Sequence, residues 1–219
     1  MEAIRQLAAN VTSASLCDAL GRMHTHRSHV IDMVSPTPGK VLFGPAVTMR
    51  MLPWRQDLYD SGVHGFARQF YLAVGSEPAG KVLVVDSSGH TAVSVGGGTK
   101  LSRLANMGLA GMITDGRLRD FDELAGYDPV FYCSGTTIRA GTGDLMPVAV
   151  NEPVNLAGAS VVPGDYVFAD GAGAVIVPAV SLLEALQAAN DIQAKDKYYL
   201  DVILRETGST SGASPSDKA

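Results

Sequence analysis

Apolar runs and helical patterns alternate along the first half of the chain. The runs at residues 81–86 and 109–114 are apolar almost throughout and predict buried strands. Between them, apolar positions recur at helical spacing and predict a helix over residues 99–107, with Gly108 as its stop. Upstream, the pattern predicts a helix over residues 12–23, a strand over 41–51 and a helical region over 57–74. This order of elements is typical of an α/β fold.

After residue 120 the pattern changes to short apolar segments separated by Gly, Pro and Asn turns. Strands are predicted at residues 129–133, 145–150, 159–162, 166–169 and 174–177, which indicates a mixed sheet. Residues 180–206 predict a C-terminal helix that is longer than a small domain needs, so we expect it to pack on a neighbouring subunit. The Ser- and Gly-rich residues 207–219 predict a disordered tail. The chain is thus expected to form one domain, residues 1–206, followed by that tail.

Composition narrows the class of protein. The chain has 219 residues, of which 46% are hydrophobic and 18% charged, and this suits one domain with a substantial core. A net charge of -5 argues against nucleic-acid binding through a basic face. Cys17 and Cys133 are too few and too far apart to predict a disulfide framework or a thiolate metal site. No apolar run approaches the length of a membrane span, and we expect a cytoplasmic protein.

The densest group of candidate chemical groups lies around the two buried strands. Residues 96–100 read Gly-Gly-Gly-Thr-Lys at the predicted start of a helix, where amides without helical acceptors attract anions. Arg119 could clamp a carboxylate through two parallel hydrogen bonds. Asp120 and, one helical turn later, Glu123 are hard oxygen ligands for a cation such as magnesium. The combination predicts a site for a small oxyanion and a divalent metal.

Each part also has a simpler interpretation. A run of glycines is typical of a flexible turn, and Asp120 followed by Glu123 also fits a variant of the helix capping box. The side chain of Lys100 could reach a second carboxylate or a phosphate of the substrate, or lie solvated at the start of the helix. Only the spacing of the whole group favours a functional site.

That spacing resembles a known signature. Twenty residues separate Gly98 from Arg119-Asp120, and two more precede Glu123, as in RraA-like proteins, and the resemblance extends over residues 12–178. The family includes class II pyruvate aldolases that act on 4-hydroxy-4-methyl-2-oxoglutarate and 4-carboxy-4-hydroxy-2-oxoadipate, and also RraA, which binds and inhibits a ribonuclease. The resemblance implies a three-layer β/β/α swivelling-domain fold with a C-terminal helix. It also implies a homotrimer or a dimer of trimers with sites at subunit boundaries.

Roles for individual residues follow from the resemblance. The substrate carboxylate is expected on the amides of Gly97, Gly98, Thr99 and Lys100. Arg119 is expected to hold the substrate and its developing enolate oxygen, while Asp120 holds Mg²⁺ or Mn²⁺ directly or through water. The implied reaction is metal-dependent carbon–carbon cleavage of a 2-oxo acid, with decarboxylation of oxaloacetate as a companion activity. Another lyase, isomerase or hydrolase reaction on a specialised metabolite stays open, as does a non-enzymatic ribonuclease-binding role.

Three features depart from the family pattern. The best-characterised aldolases carry an acidic residue at the position of Gly98, and an apolar residue usually stands where this chain has Lys100. Residues 53–79 are longer and more polar-aromatic than expected of these aldolases.

Other catalytic motifs are absent from the sequence. Residues 141–144 (Gly-Thr-Gly-Asp) are interpreted as a turn, and nothing in the chain matches a nucleophile elbow or a phosphate loop.

The histidines offer a rival site. His24, His26 and His29 could bind a metal, line an active site or lie at the surface, although neighbouring arginines disfavour a bound cation. His90 is isolated in the sequence. For the general base of a cleavage reaction, Asp18, His64 and a metal-bound water molecule are all candidates.

Overall fold

A computed structural model describes residues 2–206, except for the side chain of Glu2. The predicted disordered tail, residues 207–219, lies outside them. The helices are α1 (Glu2–Ala8), α2 (Ser13–Met23), α3 (Gln56–Tyr59), α4 (Phe66–Val74), α5 (Gly98–Asn106), α6 (Phe121–Leu124) and α7 (Leu182–Leu204), with a 3₁₀ turn at Ala179–Ser181. The strands are β1 (His29–Val30), β2 (Leu42–Pro53), β3 (Val82–Asp86), β4 (Ser94–Gly96), β5 (Gly111–Thr114), β6 (Arg117–Leu118), β7 (Val130–Tyr132), β8 (Gly135–Thr136), β9 (Leu145–Val150), β10 (Val154–Leu156), β11 (Ala159–Val161), β12 (Tyr166–Asp170) and β13 (Gly173–Val177).

The largest sheet is mixed, as predicted. Its order is β1-β13-β12-β2-β3-β5-β7, and β9 pairs with the second half of the long strand β2. Strands β2, β3, β5 and β7 run parallel to one another, whereas β1, β12, β13 and β9 pair antiparallel. Three short parallel strands form a separate sheet in the order β4-β6-β8. Along the chain, β4 follows β3, β6 follows β5 and β8 follows β7. Strands β10 and β11 form a hairpin.

Successive side chains of each buried strand point to opposite faces of the sheet, and each face packs against a different layer. On one face of the sheet, Leu83 and Met112 pack in a cluster with α4 and α5, to which Phe70 and Leu101 contribute. On the opposite face, side chains such as Val84 pack with the β10–β11 hairpin. A third cluster joins α1, α2 and α7 to β12 and β13. The helix layer, the sheet and the hairpin beyond it confirm the expected β/β/α arrangement.

Local signals account for most of the predicted elements. Thr12 caps α2 in a reciprocal capping box with Ser15, and Gly108 follows α5 with a φ of 67°. The helical region predicted over residues 57–74 was wrong in part, because it is divided into α3 and α4. Gly62, with a φ of 72°, lies in the intervening turn, where a helix cannot continue.

The C-terminal helix is long, as predicted. Its first half is buried against α2, whereas Tyr198, Leu200 and Ile203 near its end are 64%, 55% and 58% exposed. The oligomeric state itself stays a prediction. Within residues 2–206 we find no helix that is both long enough and apolar enough for a membrane span.

Candidate functional site

The three-stranded sheet brings the glycine run and the Arg119-Asp120 pair together. Strand β4 lies parallel to β6, with Gly96 opposite Leu118, so the residues that follow each strand emerge side by side. The amide of Arg119 then donates to the carbonyl of Gly96 at 3.0 Å. Two residues of β-structure are too short to produce a recognisable alternation, and the sequence analysis therefore missed β6 and β8.

Both carboxylates of the predicted metal site lie against the glycines. Asp120 Oδ2 accepts a hydrogen bond from the Gly98 amide at 3.0 Å, and a β-carbon added at Gly97 would press on the same carboxylate. A β-carbon added at Gly98 would collide with the carboxylate of Glu123. Because Gly97 and Gly98 have no side chains, there is room above them for the carboxylates of Asp120 and Glu123.

This contact changes the expected anion cradle in one respect. Because the amide of Gly98 donates to Asp120, the amides at the start of α5 that suit a bound anion are those of Thr99 and Lys100, which have no acceptor within the helix. Gly97 is the residue before the helix and is extended. The glycine run thus binds one carboxylate of the chain itself and presents the next amides to the cleft.

The capping-box interpretation of Asp120 was wrong. Asp120 precedes α6, but its side chain makes no capping hydrogen bond and points instead to Gly98. Its backbone is left-handed, with φ 59° and ψ 46°, a conformation that Asp tolerates better than most residues. Its Oδ1 lies 3.7 Å from Nε of Arg119, and both side chains are more than one-third exposed.

Tyr127 fixes the second carboxylate. Its hydroxyl donates to Glu123 Oε1 at 2.7 Å and lies 3.3 Å from the carbonyl of Gly98. The hydrogen bond to Glu123 raises the pKa of the Tyr127 hydroxyl. The sequence gave no sign of this role, because Tyr127 lies in a bend beyond the end of α6 at Leu124.

The start of α5 and the Arg119-Asp120 pair border a cleft of about 160 Å³. The residues that line it are Ser94, Gly96, Gly97, Thr99, Lys100, Arg119, Asp120, Ala140, Gly141 and Thr142. Lys100 is half-buried, and its ammonium lies 5.3 Å from the centre of the Phe66 ring. Burial, together with the nearby charges of Arg119 and Arg103, lowers the pKa of Lys100.

The far wall of the cleft is the turn at residues 141–144. The amide of Ser94 donates to the carbonyl of Arg139 at 3.0 Å, and Gly141 packs so closely on the Ser94 carbonyl that a β-carbon would collide with it. The same turn is tied to the start of the polar-aromatic segment, because the Trp54 amide donates to the carbonyl of Asp144 at 2.8 Å. The sequence correctly indicated a turn here but gave no sign that it borders the site.

The histidines lie elsewhere. His24 and His26 line a different cleft together with Asp18, and His24 Nε2 pairs with Ser181 Oγ at 3.0 Å. His64 pairs with the carbonyl of Pro147 and, like Asp18, does not line the cleft at the glycine turn. Among the described side chains, no group of three or more His, Cys, Asp or Glu residues is placed to hold a metal ion. The rival histidine metal site is therefore not formed by the side chains that the structure describes.

Comparisons with known proteins identify relatives of the chain in sequence and in fold. The chain is 31% identical over 174 residues to a protein of Arabidopsis thaliana provisionally named 4-hydroxy-4-methyl-2-oxoglutarate aldolase 2, covering 77% of this chain and 95% of that protein. The crystal structure of Streptomyces coelicolor RraAS2, described as an unusual member of the RNase ES inhibitor RraA family, matches with a TM-score of 0.79. It is 28% identical, over 92% of this chain and 98% of that one.

A crystal structure of an uncharacterised protein from Pseudomonas syringae pv. tomato supports the fold. It matches with a TM-score of 0.81 at 22% identity, over 95% of this chain and 91% of that one. The family model described as Aldolase/RraA matches residues 13–176, a span that includes both the glycine run and the Arg119-Asp120 pair. The chain therefore belongs to the RraA-like family.

Proposed function

We propose that the protein is a carbon–carbon lyase that cleaves a 2-oxo acid to a pyruvate-like enolate with the help of a divalent metal. The observation that carries this proposal is the convergence of Asp120 and Glu123 on the glycine turn, beside Arg119. Relatives named as aldolases of a 4-hydroxy-2-oxo acid support the same class of reaction. Oxaloacetate decarboxylation is the companion activity, because it forms the same enolate.

The side chains present fit a divalent cation. Magnesium is commonly bound through one or two carboxylates with water completing its shell, so two carboxylates are a sufficient protein contribution. Within residues 2–206, Asp120 Oδ1 accepts no hydrogen bond from a backbone amide, unlike Oδ2, and it lies 3.7 Å from Nε of Arg119. We propose Asp120 and Glu123 as the ligands and Mg²⁺ or Mn²⁺ as the ion. When bound, the ion would supply Lewis-acid stabilisation of the enolate oxygen.

The remaining groups of the cleft bind and orient the substrate. The first-turn amides of Thr99 and Lys100 suit its carboxylate, because they lie at the positive end of the α5 dipole. The guanidinium of Arg119 would stabilise negative charge as it develops on the enolate oxygen. Among the described residues, no histidine lines the cleft.

The experiment is pyruvate release from oxaloacetate and from 4-hydroxy-4-methyl-2-oxoglutarate with Mg²⁺, with Mn²⁺ and after chelation. Asp120→Asn keeps an acceptor for the Gly98 amide but removes the charge, and we expect a loss of about 100- to 1000-fold. Asp122→Asn is the matched control, because Asp122 is exposed in the first turn of α6, two residues after Asp120, and does not line the cleft. Equal activity of Asp120→Asn and Asp122→Asn would contradict the proposal.

Ribonuclease binding is the second candidate function, favoured by the similarity to RraAS2. It predicts no pyruvate release and no metal binding by calorimetry, together with inhibition of a ribonuclease that Asp120→Asn leaves unchanged. Metal binding without pyruvate release from either compound would instead favour a different reaction on a specialised metabolite.

A further inference from the structure

The small β4-β6-β8 sheet has a second cleft at the end that faces away from the glycine turn. Thr91, Asp115 and Ser134 precede strands β4, β6 and β8 in the chain, and all three line this second cleft. The residues that directly follow β4 and β6, Gly97 and Arg119, line the cleft at the glycine turn instead. Because the three strands run parallel, the two clefts lie at opposite ends of one sheet.

This second cleft has a volume of about 390 Å³ and is lined by charges of both signs. Arg27 supplies a positive charge, and Asp32 and Asp115 supply two carboxylates. Within residues 2–206, no carboxylate lies within 4 Å of the Arg27 guanidinium. The three charges therefore share the cleft without pairing, and a ligand that satisfies them carries both an anionic and a cationic group.

The backbone holds the Arg27 guanidinium in place. Its Nε donates to the carbonyl of His29 at 3.1 Å, and a β-carbon added at Gly158 would lie only 2.9 Å from its Nη1. Neither terminal nitrogen donates a hydrogen bond to any of the described residues. A guanidinium with both of these donors available is suited to a carboxylate, which it binds through parallel hydrogen bonds.

The two carboxylates are suited to an ammonium group. Asp115 accepts a hydrogen bond from the Ser87 amide at 2.7 Å, and burial raises the pKa of its carboxyl group. An ammonium group beside Asp115 would stabilise the ionised form, which burial disfavours. The carboxylate of Asp32, in the same cleft, makes no hydrogen bond or ion pair with the described residues and adds a second negative charge.

We propose that the second cleft binds a free α-amino acid with an apolar side chain. The carboxylate of the ligand would lie on Arg27, and its ammonium group on Asp115 and Asp32. Ile31 and Met33, which also line the cleft, give the ligand side chain an apolar surface. An α-amino acid carries both charges on one carbon atom, whereas a simple acid or amine satisfies only one side of the cleft. This site does not depend on the proposed lyase reaction.

Leucine and two of its analogues test the charge requirement. 4-Methylpentanoate keeps the carboxylate and the side chain of leucine but lacks the amino group, and 3-methylbutylamine lacks the carboxylate. In titrations followed by calorimetry and NMR, we expect leucine to bind at least about tenfold more tightly than either analogue. No binding of leucine, or equal binding of leucine and 4-methylpentanoate, would overturn the proposal.

Substitutions of the charged side chains locate the site. Arg27→Met and Asp115→Asn should each weaken leucine binding about tenfold, and Asn keeps an acceptor for the Ser87 amide. Asp32→Asn should also weaken binding and should fold normally, because Asp32 is exposed and Asn tolerates its φ of 61° equally well. Arg22→Met is the matched control, because Arg22 is exposed but does not line this cleft.

Asp120→Asn distinguishes the two clefts. Leucine bound at the glycine turn would place its ammonium group near Asp120, so this substitution would weaken binding there. We expect Asp120→Asn to leave leucine binding unchanged. Weaker binding to Asp120→Asn together with unchanged binding to Arg27→Met would overturn the proposal. Failure of the lyase reaction appears separately, because a protein that releases no pyruvate still reports leucine binding.

Discussion

Replacing Gly98 by alanine tests whether the glycine run exists to make room for Glu123. The added methyl group would occupy the space of the Glu123 carboxylate, which must then move away from the turn and from Tyr127. Restoring ordinary van der Waals separation requires a shift on the order of 1 Å. Misplacement of a group by that distance commonly costs about 100-fold in rate. We therefore expect kcat/KM for pyruvate release to fall about 100-fold and the affinity for Mg²⁺ to fall as well.

The same substitution should leave the fold almost unaffected. Alanine is favoured over glycine within a helix by up to about 1 kcal/mol, and Gly98 has no positive φ that would oppose it. Loss of the hydrogen bond between Tyr127 and Glu123 costs about 0.5–1.5 kcal/mol. These opposing effects nearly cancel, so the Tm should stay within roughly 4 °C of the wild type.

Gly21→Ala is the control, because Gly21 lies in α2 with open space where its β-carbon would be. Its Tm should rise slightly, while pyruvate release and Mg²⁺ binding stay unchanged. The assays are steady-state kinetics on oxaloacetate, calorimetry with Mg²⁺ and differential scanning calorimetry. Gly98→Ala activity within threefold of the wild type, with unchanged Mg²⁺ affinity, would refute the assignment of Glu123. A Tm lower by more than 10 °C would refute the stability argument.

Three further predictions concern groups around the site. Ser94→Ala should lower the free energy of unfolding by about 1–3 kcal/mol in urea titrations, because the buried Ser94 hydroxyl bonds both the carbonyl and the amide of Gly96. Lys100→Met should raise the Tm at neutral pH. Because folding lowers the pKa of Lys100 below 10.5, wild-type stability rises with pH through the window between the two values, and this rise is absent from the variant. Burial raises the pKa of Cys133 from 9.0 to about 11, so mass spectrometry should find it unmodified by iodoacetamide at pH 8. The protonated Cys133 thiol contributes to the free energy of unfolding below pH 9. This contribution is lost as the pH rises from about 9 through 11, because the thiol ionises first in the unfolded chain. Cys133→Ala should remove this pH dependence of stability.

The sequence predicts best what a local pattern determines. The apolar run that forms β3 is buried at every position, and Thr12 caps α2 through contacts within three residues. Both depend on neighbours in the sequence, so hydrophobic periodicity and capping chemistry are sufficient to find them.

What the sequence could not predict depends on contacts between distant segments. Strand β6 is two residues long and exists because β4 and β8 pair with it on either side. The turn that contains Gly141 borders the cleft because it packs on Ser94, a contact across more than forty residues of chain. The direction of the Asp120 side chain follows from a left-handed backbone that no spacing rule indicates. The residue types of the site were therefore predictable, and their mutual contacts were not.

The glycine turn also bears on which of the family's two functions this chain performs. A surface that binds a ribonuclease is made by side chains that face outward, and it places no requirement on the space above Gly97 and Gly98. In this chain the carboxylates of Asp120, just before α6, and of Glu123, within α6, fill that space, and a backbone amide and a tyrosine hydroxyl hold them. Asp120 reaches it through a backbone conformation that costs free energy and without capping the helix that follows. Because neither helix formation nor surface binding accounts for that cost, the arrangement favours chemistry at the glycine turn. Gly98→Ala therefore separates the two functions: a lyase loses activity and Mg²⁺ affinity together, whereas a ribonuclease-binding protein keeps its inhibition unchanged.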